Sequence, residues 1–416
     1  MEKFLIKGEK ALSGEVYISG SKNGALPLIA ASLLTNGVTI LKNVPNLKDI
    51  TTMLEVINKL GVNYQFEGNT IKIDATRVNS YIAPYELVKK MRASIYVLGP
   101  LLARLGRAEV SLPGGCAIGP RPVNLHIKAM ENLKASIKIK NGFIIGRAKK
   151  LKGSEIFFEK VSVGATINAI MAAVLAEGET IIKNAALEPE VGSLIDFLKK
   201  MGANIKGENT DTIFIKGVNK LSPIEYDVMP DRIEAGTFIL AGVITKSRIK
   251  VKNIIPEHLK SLLDILNEMG VKFQIGKNYV ELIKVKKLNP VEIKTAPYPG
   301  FPTDLQPQIC SILSIVPGIS VVNETIFENR FTHIPELIRM GANIELNDNI
   351  IIIKGVKNLY GAPVMASDLR GGAALVLAAL SAKNETIIDR IYHIDRGYEK
   401  IENKLTKLGA YIKRIK

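Results

Sequence analysis

The chain of 416 residues has no Trp and only two Cys, Cys116 and Cys310. The missing Trp excludes little. The shortage of Cys excludes a disulfide framework and fits a reducing compartment, so a cytoplasmic location is expected. Four His (His126, His258, His333, His393) stand far apart and lack ligand spacing. No structural zinc, no other metal and no cofactor is expected. Long apolar runs are also missing. The longest, such as Ala165 to Ala176, fall well short of the ~18 residues that suggest a membrane span. Residues Met1 to Lys7 carry Glu2 and Lys3 around a very short apolar run, which does not read as a signal peptide. The densest basic cluster, Arg147 to Lys152, has no interleaved aromatics. Nucleic acid is therefore not an expected partner, because base stacking needs aromatics beside the charge.

Positive charge is abundant. Lys and Arg number 56 against 40 Asp and Glu, a net charge of +16. Spread along the whole chain, this charge fits a solvated basic surface and anionic small substrates. The 47% hydrophobic content is ample for packed cores, and the length predicts two domains of roughly 200 residues.

The sequence repeats. A Leu/Met-Gly-Ala/Val signature closes an amphipathic segment at Leu60-Gly61-Val62, Met201-Gly202-Ala203, Met269-Gly270-Val271, Met340-Gly341-Ala342 and Leu408-Gly409-Ala410, with a degenerate copy at Leu133-Lys134-Ala135. Six units of roughly 70 residues fill the chain. Before each signature, apolar residues recur at helical intervals, as in Leu194, Ile195, Leu198 and Met201. The Gly suits the left-handed residue that ends a helix. Hairpins are expected afterwards, with turns at Gly276-Lys277-Asn278 and Asn347-Asp348-Asn349. Each unit also has a second helix, apolar nearly all round and so buried: Ala25 to Leu34, Ala93 to Leu105, Gly164 to Ala176, Ala235 to Ile244, Leu305 to Ile315 and Gly371 to Ala382. The fold class is α/β, with three buried helices inside each half and sheets and amphipathic helices outside. The halves meet near Met229-Pro230-Asp231. The first short strands, up to about Gly20, can pair with either half.

Polar residues gather at the N-terminal mouths of the buried helices: Ser21-Lys22-Asn23-Gly24, Arg92-Ala93-Ser94, Lys160 to Gly164, Asp231-Arg232, Thr303-Asp304 and Asp368 to Gly371. Capping explains the Ser, Thr, Asp and Asn. It does not explain Lys or Arg at five of six mouths, where the helix dipole disfavours cations. Free helix N–H groups plus cations make an anion site. If the helices of the two bundles point the same way, their mouths face each other across a cleft. A Gly- and Pro-rich loop, Pro113 to Pro122, carries Cys116 with Arg121 nearby. A neighbouring cation lowers a thiol pKa toward neutrality, where Cys can act as acid, base or nucleophile. The same loop also suits a phosphate cradle. Cys310, in the apolar run Ile309 to Ile315, reads as an inert buried thiol.

Taken together, these residues resemble the UDP-N-acetylglucosamine 1-carboxyvinyltransferase family, the enolpyruvyl transferases of bacterial cell-wall synthesis. The resemblance covers essentially the whole chain. It rests on Ser19-Gly20-Ser21-Lys22-Asn23, Pro113 to Gly119, Arg121-Pro122-Val123, Phe301-Pro302-Thr303-Asp304, Glu328-Asn329-Arg330-Phe331, Asp368 to Gly372 and Asp395-Arg396-Gly397-Tyr398. It implies a two-domain inside-out α/β barrel of six βαβαββ-type repeats. Residues 22–229 would form one domain, and residues 1–21 plus 230–416 the other, with the active site in the cleft between them. It implies phosphoenolpyruvate and UDP-N-acetylglucosamine as substrates and phosphate as leaving group, in the first committed step of peptidoglycan precursor synthesis. Catalytic roles fall to Cys116, Asp304, Lys22 and Arg396. Cys116 would be the acid, able to form a 2-(S-cysteinyl)pyruvate adduct and open to the epoxide antibiotic fosfomycin. Asp304 would be the base. Lys22, Asn23, Arg121, Arg370 and Arg396 would hold phosphoenolpyruvate. The nucleotide sugar would contact Arg92, Arg121, Pro122, Val123, Asn124, Leu125, Lys160, Ser162, Val163, Asp304 and Ile326. One departure is Asn124, where an acidic residue is expected. Its side-chain oxygen still accepts a hydrogen bond. Two alternatives share the fold: a 3-phosphoshikimate 1-carboxyvinyltransferase, not expected to carry the Cys loop, and a silent paralogue acting as a binding protein.

Overall fold

The computed structural model describes residues 2–89, 91–112, 123–285 and 287–416; Cys116, Arg121 and Pro122 lie outside the described residues. The repeat is clearest where its hydrophobic pattern is cleanest. Strand Glu292–Lys294 leads through the buried helix Gln306–Leu313 to strand Ile319–Asn323. The amphipathic helix Ile334–Arg339 follows, and then the hairpin Asn343–Asn347 and Ile350–Lys354. The first two strands run parallel, with Ile293 opposite Val322, as a helical crossover requires. The other pairs are antiparallel, with Val322 opposite Ile351 and Ile344 opposite Ile353. Alternation puts Ile351 and Ile353 inside, while their neighbours face outward.

Six such four-stranded sheets form among the described residues, three in each of two compact units. Among the described residues, the first unit comprises 20–112 and 123–229, and the second comprises 2–19 and 230–416. Each has its own hydrophobic core. In the second unit the helices Arg232–Ile244, Gln306–Leu313 and Leu369–Ser381 pack on one another. In the first, the turn Arg92–Val97 touches both Lys22–Ala31 and Val163–Ala173, and Leu98–Leu105 packs on the latter. Helices apolar nearly all round form the interior, and the strands lie outside them. This is the inside-out α/β barrel.

The repeats are threaded with offsets. Strand Lys3–Lys7 sits between Glu385–Asp389 and Tyr411–Ile415, antiparallel to both, and supplies the strand the sixth repeat lacks. Strand Ser13–Tyr17 leads the fourth repeat, parallel to Arg248–Lys252. Strand Glu225–Asp227 leads the first, parallel to Val38–Lys42.

Each helix-ending Gly takes a positive φ: +97° at Gly61, +105° at Gly202, +88° at Gly270, +93° at Gly341 and +99° at Gly409. The degenerate copy keeps the geometry without the glycine, with Lys134 at +68°. A second recurring left-handed position follows the inner strand at Asn43, Asn184 and Asn253, with φ of 55°, 54° and 58°. Their side-chain amides donate to Val228 O, Phe158 O and Ile18 O, tying each leading strand to its neighbour.

Candidate active site

The starts of the buried helices are built as their sequences suggest. Ser21 Oγ accepts from Gly24 N, Ser162 Oγ from Ala165 N, Asp231 Oδ1 from Ile233 N and Glu234 N, and Asp368 Oδ1 from Arg370 N and Gly371 N. These caps satisfy one or two of the first N–H groups of each helix. The other two begin as 3-10 turns, Arg92–Val97 and Thr303–Leu305, with no side-chain cap.

In the second unit the decisive group is Asp304, in the turn before Gln306–Leu313. Its side chain is 26% exposed, against 4% for Arg370 and 6% for Arg330. Arg370 donates to Asp304 Oδ2 through Nε at 3.2 Å and Nη2 at 2.9 Å, and Arg330 Nη1 donates to Oδ1 at 2.8 Å. Burial alone would raise the carboxyl pKa. The charges of Arg370 and Arg330 and their hydrogen bonds overcome it and hold the group well below the usual carboxylate range. Arg370 is driven up in turn: burial opposes, and Asp304 leads the groups that overcome it. Arg370 Nη1 is buried without a hydrogen-bond partner among the described residues. A buried guanidinium N–H left over in this way suits an anionic oxygen. Beneath it, Gln308 Nε2 donates to Asp304 O at 3.0 Å and to Tyr398 Oη at 3.1 Å, and Tyr398 Oη lies 2.9 Å from Thr237 Oγ1. The starts of all three buried helices are thereby linked. Arg396 ends the short turn Ile391–Arg396, two residues before Tyr398. Ile326 follows Glu324, whose carboxylate accepts both the Ile326 N–H and the Thr303 hydroxyl next to Asp304.

In the first unit Lys22 Nζ donates to Asp49 Oδ2 at 3.1 Å, in a pair 11% and 7% exposed. Asp49 lies in the first turn of helix Lys48–Lys59, where the dipole favours its charge and where it counters the cation at the mouth of Lys22–Ala31. Asn23 is the second residue of that helix. A second group centres on buried His126. Asn168 Nδ2 donates to Ile95 O at 2.9 Å and lies 3.0 Å from His126 Nδ1, while its Oδ1 accepts from Gly99 N at 2.9 Å. A Cβ on Gly164 would sit 3.1 Å from His126 Cε1. The mouth at Ser162-Val163-Gly164 thus lies against His126. Burial first, and then the charge of Arg92, bring this imidazole down to about 3. Val123, Asn124 and Leu125 precede His126 at the start of helix Asn124–Asn132, with Asn124 exposed. Lys160, also exposed, stands two residues before the Ser162 cap.

Within each unit, then, the structure brings together Asp304 and Arg370, joined through Thr303 and Glu324 to Ile326, and sets Gly164, two residues after Ser162, and the charge of Arg92 close to His126, two residues after Asn124. Asp49, His126 and Glu324 are contacts that sequence reasoning did not single out, and Thr303, read as a capping residue, caps no helix here. Arg330 and Tyr398 stood inside quoted motifs without a role. Among the described residues, no group of three or more His, Cys, Asp or Glu is placed to hold a metal ion, and no helix is long and apolar enough to cross a membrane.

The family model for EPSP synthase (3-phosphoshikimate 1-carboxyvinyltransferase) matches residues 6–405. Among curated proteins, the UDP-N-acetylglucosamine 1-carboxyvinyltransferases of Geobacter metallireducens and Acinetobacter baylyi are each 53% identical to the chain, with full coverage on both sides. The chain belongs to the UDP-N-acetylglucosamine 1-carboxyvinyltransferase family. Among solved structures, the enolpyruvyl transferase NikO from Streptomyces tendae superposes with a TM-score of 0.91 at 26% identity, over 100% of this chain and 99% of that one. EPSP synthase from Acinetobacter baumannii superposes with 0.79 at 18%, over the full length of both, a likeness of fold. The transferase family and the α/β architecture of repeated units thus agree with the resemblance drawn from the motifs.

Proposed function

We propose that this protein moves the enolpyruvyl group of phosphoenolpyruvate to the 3′-hydroxyl of UDP-N-acetylglucosamine and releases phosphate, as a cytoplasmic step of peptidoglycan precursor synthesis. Full-length identity of 53% to transferases of that name supports the choice of acceptor. The observation that carries the chemistry is the Asp304 carboxylate, kept anionic between two buried guanidiniums.

The reaction is an addition followed by an elimination. Protonation of the methylene carbon makes C2 of phosphoenolpyruvate electrophilic. The sugar hydroxyl adds there and gives a tetrahedral ketal. Loss of a methyl proton and of phosphate restores the double bond. Cys116 is the proposed acid, with fosfomycin its expected alkylating agent, and Asp304 the proposed base for the sugar hydroxyl. A carboxylate so strongly stabilised is a weak base. Arg370 supplies the remedy, since an incoming dianion competes for its guanidinium. As Arg370 turns to phosphoenolpyruvate, Asp304 loses its leading partner and its basicity rises. Lys22, Asn23, Arg121 and Arg396 complete the proposed anion site, where each preorganised donor contributes a few kcal/mol, ~3 for a typical one, to the transition state. Arg92, Arg121 to Leu125, Lys160, Ser162, Val163, Asp304 and Ile326 are proposed to hold the nucleotide sugar. Residues of both units serve one reaction in this reading.

The test is phosphate release from phosphoenolpyruvate with each acceptor in turn. Release with UDP-N-acetylglucosamine is expected. Release only with shikimate 3-phosphate would replace the acceptor, and release with neither would favour a silent binding protein.

A further inference from the structure

Glu324 is a buried carboxylate that no cation neutralises among the described residues. Its four hydrogen bonds come from neutral donors: Thr295 Oγ1 at 3.0 Å, Ile326 N at 2.8 Å and Phe327 N at 3.2 Å to Oε1, and Thr303 Oγ1 at 2.9 Å to Oε2. Burying an unpaired charge is costly unless charge-assisted hydrogen bonds replace its hydration. The arrangement of these donors shows what the charge organises.

Two routes lead from Glu324 to Arg330. The first runs through Thr303. Its single hydroxyl proton goes to Glu324, so its lone pairs face Arg330 Nη1, which donates at 2.8 Å. Nη1 has two hydrogens. One goes to Thr303 and the other to Asp304 Oδ1, also at 2.8 Å, which fixes the rotation of the guanidinium. The second route runs through the backbone. The Phe327 N–H is held by Glu324, and the Phe327 ring lies 4.7 Å from Arg330 Cζ.

We infer that Glu324, acting through Thr303 and Phe327, is a positioning residue that locks Arg330 onto Asp304. Asp304 then keeps its aim when Arg370 turns to an anionic substrate. The inference rests on the reading of Asp304 as the base. It also makes Glu324 the joint between that base and Ile326, on the proposed nucleotide-sugar surface.

The substitutions T303V and T303S separate hydroxyl from shape. Val keeps the branched shape and removes the hydroxyl; Ser keeps the hydroxyl and removes the methyl. We expect T303V to lower kcat about tenfold or more, a fraction of what a general base supplies. Its KM for phosphoenolpyruvate and Kd for UDP-N-acetylglucosamine should change by less than about twofold. T303S should keep at least about a third of the wild-type kcat. The isosteric E324Q sets an amide donor against an existing donor in either flip. It should lower kcat as T303V does, because the favoured flip keeps the carbonyl oxygen on Thr295, Ile326 and Phe327 and turns the amide against the Thr303 hydroxyl. Melting curves identify any variant that fails to fold; if E324Q is lost in this way, the Thr303 pair decides. An active wild type with T303V at full kcat, or with T303S impaired more than T303V, would overturn the positioning role. A wild type that releases no phosphate with UDP-N-acetylglucosamine would instead overturn the function on which it rests.

Discussion

His126 stays neutral in the folded chain far below the pH at which a free imidazole takes up a proton, and this gives stability a pH dependence of known sign. The unfolded chain binds that proton near pH ~6.5, and the folded chain only near 3. The contribution of His126 is therefore intact above the unfolded value and is lost as pH falls from there toward the folded one. At pH 5 the loss from this group is about 2 kcal/mol. His333, buried and lowered mainly by that burial, acts in the same direction. Asp304 acts lower: its depressed carboxyl stabilises the fold above the ordinary carboxylate range, and that contribution fades only as pH falls through and below it. Urea midpoints at about pH 7.5 and about pH 5 should differ accordingly, and His126→Asn, which can keep an acceptor toward Asn168, should flatten the difference. The two thiols make a second contrast. Cys310 is buried in the second core with its pKa pushed up by that burial, with a smaller push from Glu324. Cys310→Ala should leave kcat within about twofold, whereas Cys116→Ala should lower turnover by at least about a hundredfold. Legibility at this scale follows chemistry. Arg370 announced itself because a cation at a helix mouth contradicts the dipole rule, and Asp304 because it stands in the motif Phe301-Pro302-Thr303-Asp304. Asp49 and Glu324 did not, because an acid in the first turn of a helix or after a strand is ordinary until its partner is known.

Among the elements, the six helix ends offer an internal comparison. Five use Gly at positive φ, and the sixth places Lys134 at +68°. A side chain in the left-handed region costs roughly 1 kcal/mol. Lys134→Gly should therefore stabilise the protein by up to about 1 kcal/mol, less the extra freedom of the unfolded glycine. Gly202→Ala, at +105°, should destabilise it by at least as much. Denaturant midpoints of the two variants check both signs. The helices and hairpins were readable because periods of 3.6 and 2 repeat six times, and the turns at 276–278 and 347–349 fall where expected. The left-handed Asn43, Asn184 and Asn253 were not. Their role depends on a carbonyl of a strand remote in sequence or on the far side of a helix, and a lone Asn after a strand carries no signal of that.

For the whole molecule, two separate cores predict unfolding that departs from a single two-state transition, with a calorimetric enthalpy larger than the van't Hoff value. Phe197 and Phe238 are fully buried, one in each core. Truncating either to Ala should cost about 3–5 kcal/mol and lower the transition of its own unit first. The offset threading escaped sequence reading for a physical reason. Strands Lys3–Lys7 and Ser13–Tyr17 have the same alternating pattern as any others, and nothing local states that their partners are near the C-terminus.

That threading has a consequence for biosynthesis. Everything the first unit needs is translated by Met229. Among the described residues, the strand Lys3–Lys7 pairs only with Glu385–Asp389 and Tyr411–Ile415, which are translated long after it. At ~5–20 residues per second it waits on the order of tens of seconds with both edges unpaired. The sixth sheet therefore closes around this strand only after Tyr411–Ile415 has been made.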